Sequence, residues 1–134
     1  MEPFEELDHT ADWAFRARGH DLRELFVNAA RGMFYLQGSS ESGGETVTRE
    51  FAVEGFDRET LLVNWLNELL YLQEQHREQY QRFEIVEFSE RRLRARIHGG
   101  PQGNVNKLIK AVTFHGLHIH PVPGGWEADI VVDV

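Results

Sequence analysis

Apolar and polar positions alternate along this chain with two different periods, and the changes of period mark its elements. From Trp13 the residues Trp13, Phe15 and Ala17 alternate with Arg16 and Arg18, which predicts a half-buried strand. After a turn at Gly19, "HDLRELFVNAARGMFYLQG" places Leu22, Leu25, Phe26, Ala29, Ala30, Met33 and Phe34 on one helical stripe. Asp21 and Glu24 form a capping box at its start, and Gly38 supplies its stop. "SSESGGE" has turn composition and no apolar anchor, predicting a flexible loop ahead of a strand over residues 46–53. A second helix begins near Asp57 and runs through "TLLVNWLNELLYLQEQH", with Leu61, Leu62, Trp65, Leu66, Leu69 and Leu72 on its buried side. Beyond "REQYQ", residues 83–88 and 91–97 read as a hairpin, and "HGGPQGN" breaks the chain. Residues 111–120 and 126–134 then read as two strands joined by the turn "PVPGG". Strands outnumber helices without strict βαβ alternation. The predicted class is α+β, with two main helices packed on a mostly antiparallel or mixed sheet, in one domain over residues 1–134.

Composition narrows the chemistry open to that frame. With 41% hydrophobic and 27% charged residues the chain is an ordinary globular sequence, and no apolar run is long enough to cross a bilayer. The acidic N-terminal stretch lacks the basic and apolar regions of a signal peptide, so a cytoplasmic protein is expected. The absence of cysteine removes disulfides, thiolate nucleophiles and sulfur-ligated zinc, leaving oxygen and imidazole as metal ligands. With 22 acidic against 14 basic residues the net charge is −8, which favours cations or a basic protein over free nucleic acid as partner. Phosphate-cradle, dinucleotide and nucleophile-elbow motifs are all missing, so an enzyme is not expected.

Several clusters of side chains remain as candidates. Asp8, His9 and Asp12 lie at the mouth of the first alternating strand. In "WEADIVVDV", Glu127, Asp129, Val131 and Asp133 share one strand face, with Asp133 one residue from the Val134 α-carboxylate. Brought together by folding, Asp12, Asp133 and that carboxylate make a hard oxygen cluster of the kind that holds calcium or magnesium; the alternative is a solvated strand end. In "HGLHIH", His118 and His120 share a strand face and His115 takes the other, leaving a two-imidazole metal site or plain hydrogen-bonded imidazoles. Glu68 sits at the edge of the second helix's apolar stripe, where Lys110 is a candidate ion-pair partner. Arg92, Arg94 and Arg96 form a basic strand face, suited either to a phosphate or acidic partner or to pairing with neighbouring glutamates.

Taken in order, "LDHTADWAFRARG", "LLVNWLNELLYL", "IKAVTFHGLHI" and "GWEADIVVDV" resemble the archease family over nearly the whole chain. The resemblance implies a small cytoplasmic accessory protein of an RtcB-type RNA ligase, acting in tRNA splicing and RNA repair. Such a protein helps the ligase take guanylate from GTP onto its active-site histidine and sustain many turnovers. It implies contact with RNA only through the ligase, no membrane, and no tight GTP binding by the protein itself. Asp12 matches the second acid of the family's His-Thr-Ala-Asp motif, and Asp133 with Val134 matches the acid and terminal residue that join it at a divalent-metal site, for which calcium is the expected ion. Asp8 fills a position where either acid occurs, while His9, Glu68 and Lys110 fall in matching segments as supporting residues. The sequence ends in Val where isoleucine is common, and "HGGPQGNVNKL" departs from the family pattern. A metal-dependent phosphoester hydrolase and a general chaperone or binding module stand as the alternative functions.

Overall fold

Strand alternation near the two ends of the sequence converges in one sheet. The computed structural model describes residues 1–7, 13–38 and 44–134. Its elements in chain order are β1 (Phe4–Leu7), β2 (Trp13–Gly19), α1 (Leu22–Gln37), β3 (Val47–Glu54), α2 (Arg58–His76), β4 (Glu78–Phe88), β5 (Arg92–Pro101), β6 (Ala111–Thr113), β7 (His120–Val122) and β8 (Gly125–Asp133). The fold is α+β with two separate sheets rather than the single sheet expected. One runs β1-β2-β8-β6, with β7 also paired to β8, and the other runs β3-β5-β4. Every pairing described is antiparallel.

Both helices pack against strands of both sheets. Asp21 caps α1 by accepting from the Glu24 N–H at 2.8 Å, but the reciprocal arm is displaced by one residue: Glu24 Oε1 accepts from the His20 N–H at 3.0 Å. Gly38 closes the helix in the left-handed conformation. Asp57 caps α2 through the Thr60 N–H at 2.8 Å. The Trp65 ring is fully buried, stacks on Phe51 at 5.6 Å and donates its indole N–H to the Phe26 carbonyl at 2.9 Å. One side chain thereby joins α2 to β3 and α1, its polar atom satisfied inside the core. The loop expected over "SSESGGE" falls largely on residues 39–43, which lie outside the described residues.

Four elements depart from those expected, and polar or glycine residues inside strands account for three of them, β4, β5 and β1. β4 begins at Glu78, five residues before the expected strand, because buried Glu78, Gln79 and Tyr80 carry no apolar alternation. Arg49 meets Glu78 with two hydrogen bonds, of 2.8 and 2.9 Å, and Tyr80 Oη donates to the same carboxylate at 2.8 Å. These donors, Arg49 foremost, hold the Glu78 carboxyl below its ordinary range, while burial and the neighbouring carboxylate push the Tyr80 phenol well up. β5 continues through the expected break as far as Pro101. Gly99 is required there, since a Cβ would lie 1.9 Å from the Gln79 carbonyl oxygen. The strand expected over residues 111–120 is instead two short strands, separated by a turn in which the Leu117 N–H meets the Phe114 carbonyl at 3.1 Å. β1 was not anticipated, its two glutamates masking a four-residue edge strand.

The Glu78 site yields a pH-dependent expectation. Glu78→Gln should cost about 1–3 kcal/mol at neutral pH, because it weakens two charge-assisted hydrogen bonds to Arg49. The folded carboxyl lies below its ordinary value of 4.5, so its contribution is present above that value and disappears as pH falls through the folded-state value. Urea melts of both proteins across acidic pH should therefore converge; a constant gap down to the acid transition would contradict this origin.

Candidate metal centre

The register of β2 against β8 organises this end of the molecule. Trp13 pairs with Val132, Phe15 with Ile130, Ala17 with Ala128 and Gly19 with Trp126. Phe15, Ala17, Ala128, Ile130 and Val132 are buried on the inner face. On the outer face Arg16 stands opposite Asp129 and Arg18 opposite Glu127. Arg16 forks onto Asp129 at 2.7 and 3.1 Å, and Arg18 Nε donates to Glu127 at 2.9 Å while its Nη2 reaches Glu5 on β1 at 2.6 Å. The hydrogen bond to Asp129 is the chief cause that raises the Arg16 pKa further above its ordinary value. A one-residue slip would move the apolar row out of the core and unpair these charges together. This ladder was legible as two arginines and two acids at matching two-residue spacing, yet only Asp133 of that strand face drew attention in the sequence.

The pairing stops beside the candidate ligands. Asp133 ends β8, where its carbonyl accepts from the Lys110 N–H at 2.7 Å. Its side chain is exposed and has no hydrogen-bond or ion-pair partner among the described residues, and Val134 is 40% exposed. Such unneutralised oxygen donors suit a hard divalent cation. Lys107 lies over the Trp13 ring at 5.3 Å, and the Trp13 indole N–H donates to Glu6 at 2.8 Å. Asp8, His9 and Asp12 lie outside the described residues. Among the described residues no three His, Asp or Glu side chains form a metal-holding group. A centre at this end would therefore draw on that segment as well.

The remaining candidates separate. Glu68 is half-buried on α2 and Lys110 is exposed, and the expected ion pair between them is not formed. Lys110 precedes β6 and lines a surface cavity with its neighbours Leu108 and Ile109. His118 and His120 stack at 5.5 Å, but only His120 lies in a strand; its Nε2 faces Glu127 at 3.3 Å and its Nδ1 the His118 carbonyl at 3.3 Å. His115 is exposed in the intervening turn rather than on the opposite face of a continuous strand. Arg92, Arg94 and Arg96 pair with Glu54, Glu87 and Glu50 respectively, the second of the two readings of that basic face.

Two antiparallel sheets bridged by two helices, with the first long strand locked to the last, define an α+β protein whose candidate site lies where those strands stop. The model of the archease protein family (MTH1598/TM1083) matches residues 4–134, and the chain belongs to this family. It is 36% identical over 139 residues to the protein archease of Methanosarcina mazei, covering 98% of this chain and 95% of that one. The protein archease of Pyrococcus abyssi is 33% identical, with both chains covered completely. The solution structure of Methanobacterium thermoautotrophicum protein 1598 is similar over all of both chains, with a TM-score of 0.79 and 31% identity. The crystal structure of a Thermotoga maritima archease, described as a possible chaperone, shares the fold with a TM-score of 0.68 at 20% identity, over 97% of this chain and 96% of that one.

The charge ladder should reveal its unequal burial on mutation. Glu127 and Arg18 side chains are 17% and 19% exposed, whereas Asp129 is 41% exposed. Glu127→Ala should cost about 1–3 kcal/mol by removing the largely buried acceptor of Arg18 Nε, although Glu5 still holds Arg18 Nη2, and Asp129→Ala no more than about 1 kcal/mol. Equal losses in urea denaturation would contradict the assignment of Glu127 as the more deeply buried partner.

Proposed function

We propose that this protein is an accessory factor of an RtcB-type RNA ligase, promoting its GTP-dependent guanylylation and repeated turnover in tRNA splicing and RNA repair. Membership of the archease family is the main support, and the strand register is the structural support. Asp12 is covalently joined to Trp13, whose partner Val132 is covalently joined to Asp133. The proposed ligands are Asp12, Asp133 and the Val134 α-carboxylate, with Asp8 and His9 in support and calcium as the first ion to test. A divalent cation bound there supplies Lewis-acid charge for phosphate oxygens. The protein's own part is to bring these acids to one end of the β2–β8 pair and to present them to the ligase. Glu68 and Lys110 are proposed only as residues that shape the neighbouring surface. The net charge of −8 suits a basic enzyme surface as partner, and we place the complex in the cytoplasm. Among the described residues no helix is long and apolar enough to cross a membrane.

A second reading follows from the chaperone description of the Thermotoga maritima relative, and exposed Phe56, Tyr71, Leu108 and Phe114 favour it. Suppressed aggregation of unrelated clients would support that alternative.

The direct test adds the purified protein to an RtcB-type ligase with GTP and a divalent metal. Ligase turnover should rise, whereas unchanged turnover would overturn the reading. Asp133→Ala and a short extension after Val134 should each weaken calcium binding about ten-fold or more, since each removes an anionic ligand. Calorimetry showing undiminished affinity in the extended protein would remove the terminal carboxylate from the ligand set.

A further inference from the structure

Two buried glutamines link the helices. The Ile109 N–H donates to Gln37 Oε1 at 3.2 Å, and Gln37 Nε2 donates to Gln73 Oε1 at 3.2 Å. The backbone donor fixes which way the Gln37 amide points, and Gln37 then fixes Gln73. Gln73, only 3% exposed, is left with an Nε2 that has no partner among the described residues. A buried amide donor without an acceptor is costly, and native structures rarely leave one unmet.

Gln73 lines a cavity of about 640 Å³ between the C-terminal turns of α2 and the segment leading to β6. Leu70, Tyr71, Leu108 and Ile109 form its apolar walls, with Tyr71 and Leu108 more than half exposed. Arg77 and Lys110 also line it, as does Glu74. Every arginine within a strand is paired with a carboxylate. Arg77 and Lys110 have no such partner among the described residues. The cavity thus combines apolar walls, a stranded amide donor, two unpaired cations and one carboxylate.

We propose that this cavity binds an acidic, apolar peptide segment of a partner protein. A peptide N–H matches the Glu74 carboxylate on the cavity wall, while the covered Gln73 Nε2 lies behind it. An apolar side chain covers Leu70, Tyr71 and Leu108, and an acidic one lies between Arg77 and Lys110. A small carboxylate alone would answer the cations and leave Glu74 unmatched. The Lys110 backbone joins this cavity to the end of β8 through the hydrogen bond to Asp133, so a partner seated at that end is within reach of it. The inference stands without the metal and without the partner being a ligase.

The test is an amide NMR titration of isotope-labelled protein with acetyl-Leu-Asp-Phe-Asp-Leu-amide. Saturable shifts are expected at the Gln73 side-chain amide and at Leu108 and Ile109. Lys110→Glu and Arg77→Gly should each raise the dissociation constant about two- to five-fold, the worth of one partly exposed charge contact. Both positions are exposed, and Arg77 has φ 53°, which glycine adopts freely, so the fold should persist. Absence of shifts at millimolar peptide, equal binding of the lysine-for-aspartate peptide, or equally tight binding of sodium hexanoate would each overturn the proposal.

Discussion

The antiparallel pairing of β2 with β8 is the contact on which the arrangement depends. It joins residues more than a hundred positions apart, so its formation closes nearly the whole chain into one loop, an entropic cost that must be met by burial. The inner row of Phe15, Ala17, Ala128, Ile130 and Val132 supplies that burial against the helices. The outer row contributes less energy and more specificity. In the observed register Arg16 faces Asp129 and Arg18 faces Glu127 while the apolar row stays inside, so apolar and charged faces select the same alignment.

This double selection explains why much of the fold could be read from the sequence. Both helices announce themselves through apolar stripes and capping aspartates, and the alternation from Trp13 and from Trp126 marks the two strands correctly. What was not legible is the pairing of elements and the division into two sheets, which follow from long-range contacts that periodicity does not encode. The start of β4 was hidden because Glu78 is buried by virtue of Arg49, a partner from another strand. The end of β5 was hidden because Gly99 reads as a turn signal yet serves the close approach of β4. The histidine run was misplaced for the converse reason: alternation continued on paper through Phe114–Leu117, where the backbone turns.

The candidate site was legible in a different way. Asp133 stood out as an acid on a polar strand face beside Val134, and its side chain is exposed with no partner among the described residues, while neighbouring acids Glu127 and Asp129 are occupied by arginines. The buried Gln37–Gln73 relay had no sequence signature at all, because two glutamines on different helices become a unit only after the helices pack.

The central claim, that a divalent ion is held at the end of the β2–β8 pair, is tested most directly by paramagnetic broadening. Amide spectra recorded with substoichiometric manganese should lose the resonances of Trp13, Lys110, Val132, Asp133 and Val134 first, while those of Ala95 and Leu61 persist. Broadening centred instead on His118 and His120, or on the glutamates around Arg96, or spread evenly over the acidic surface, would contradict the account.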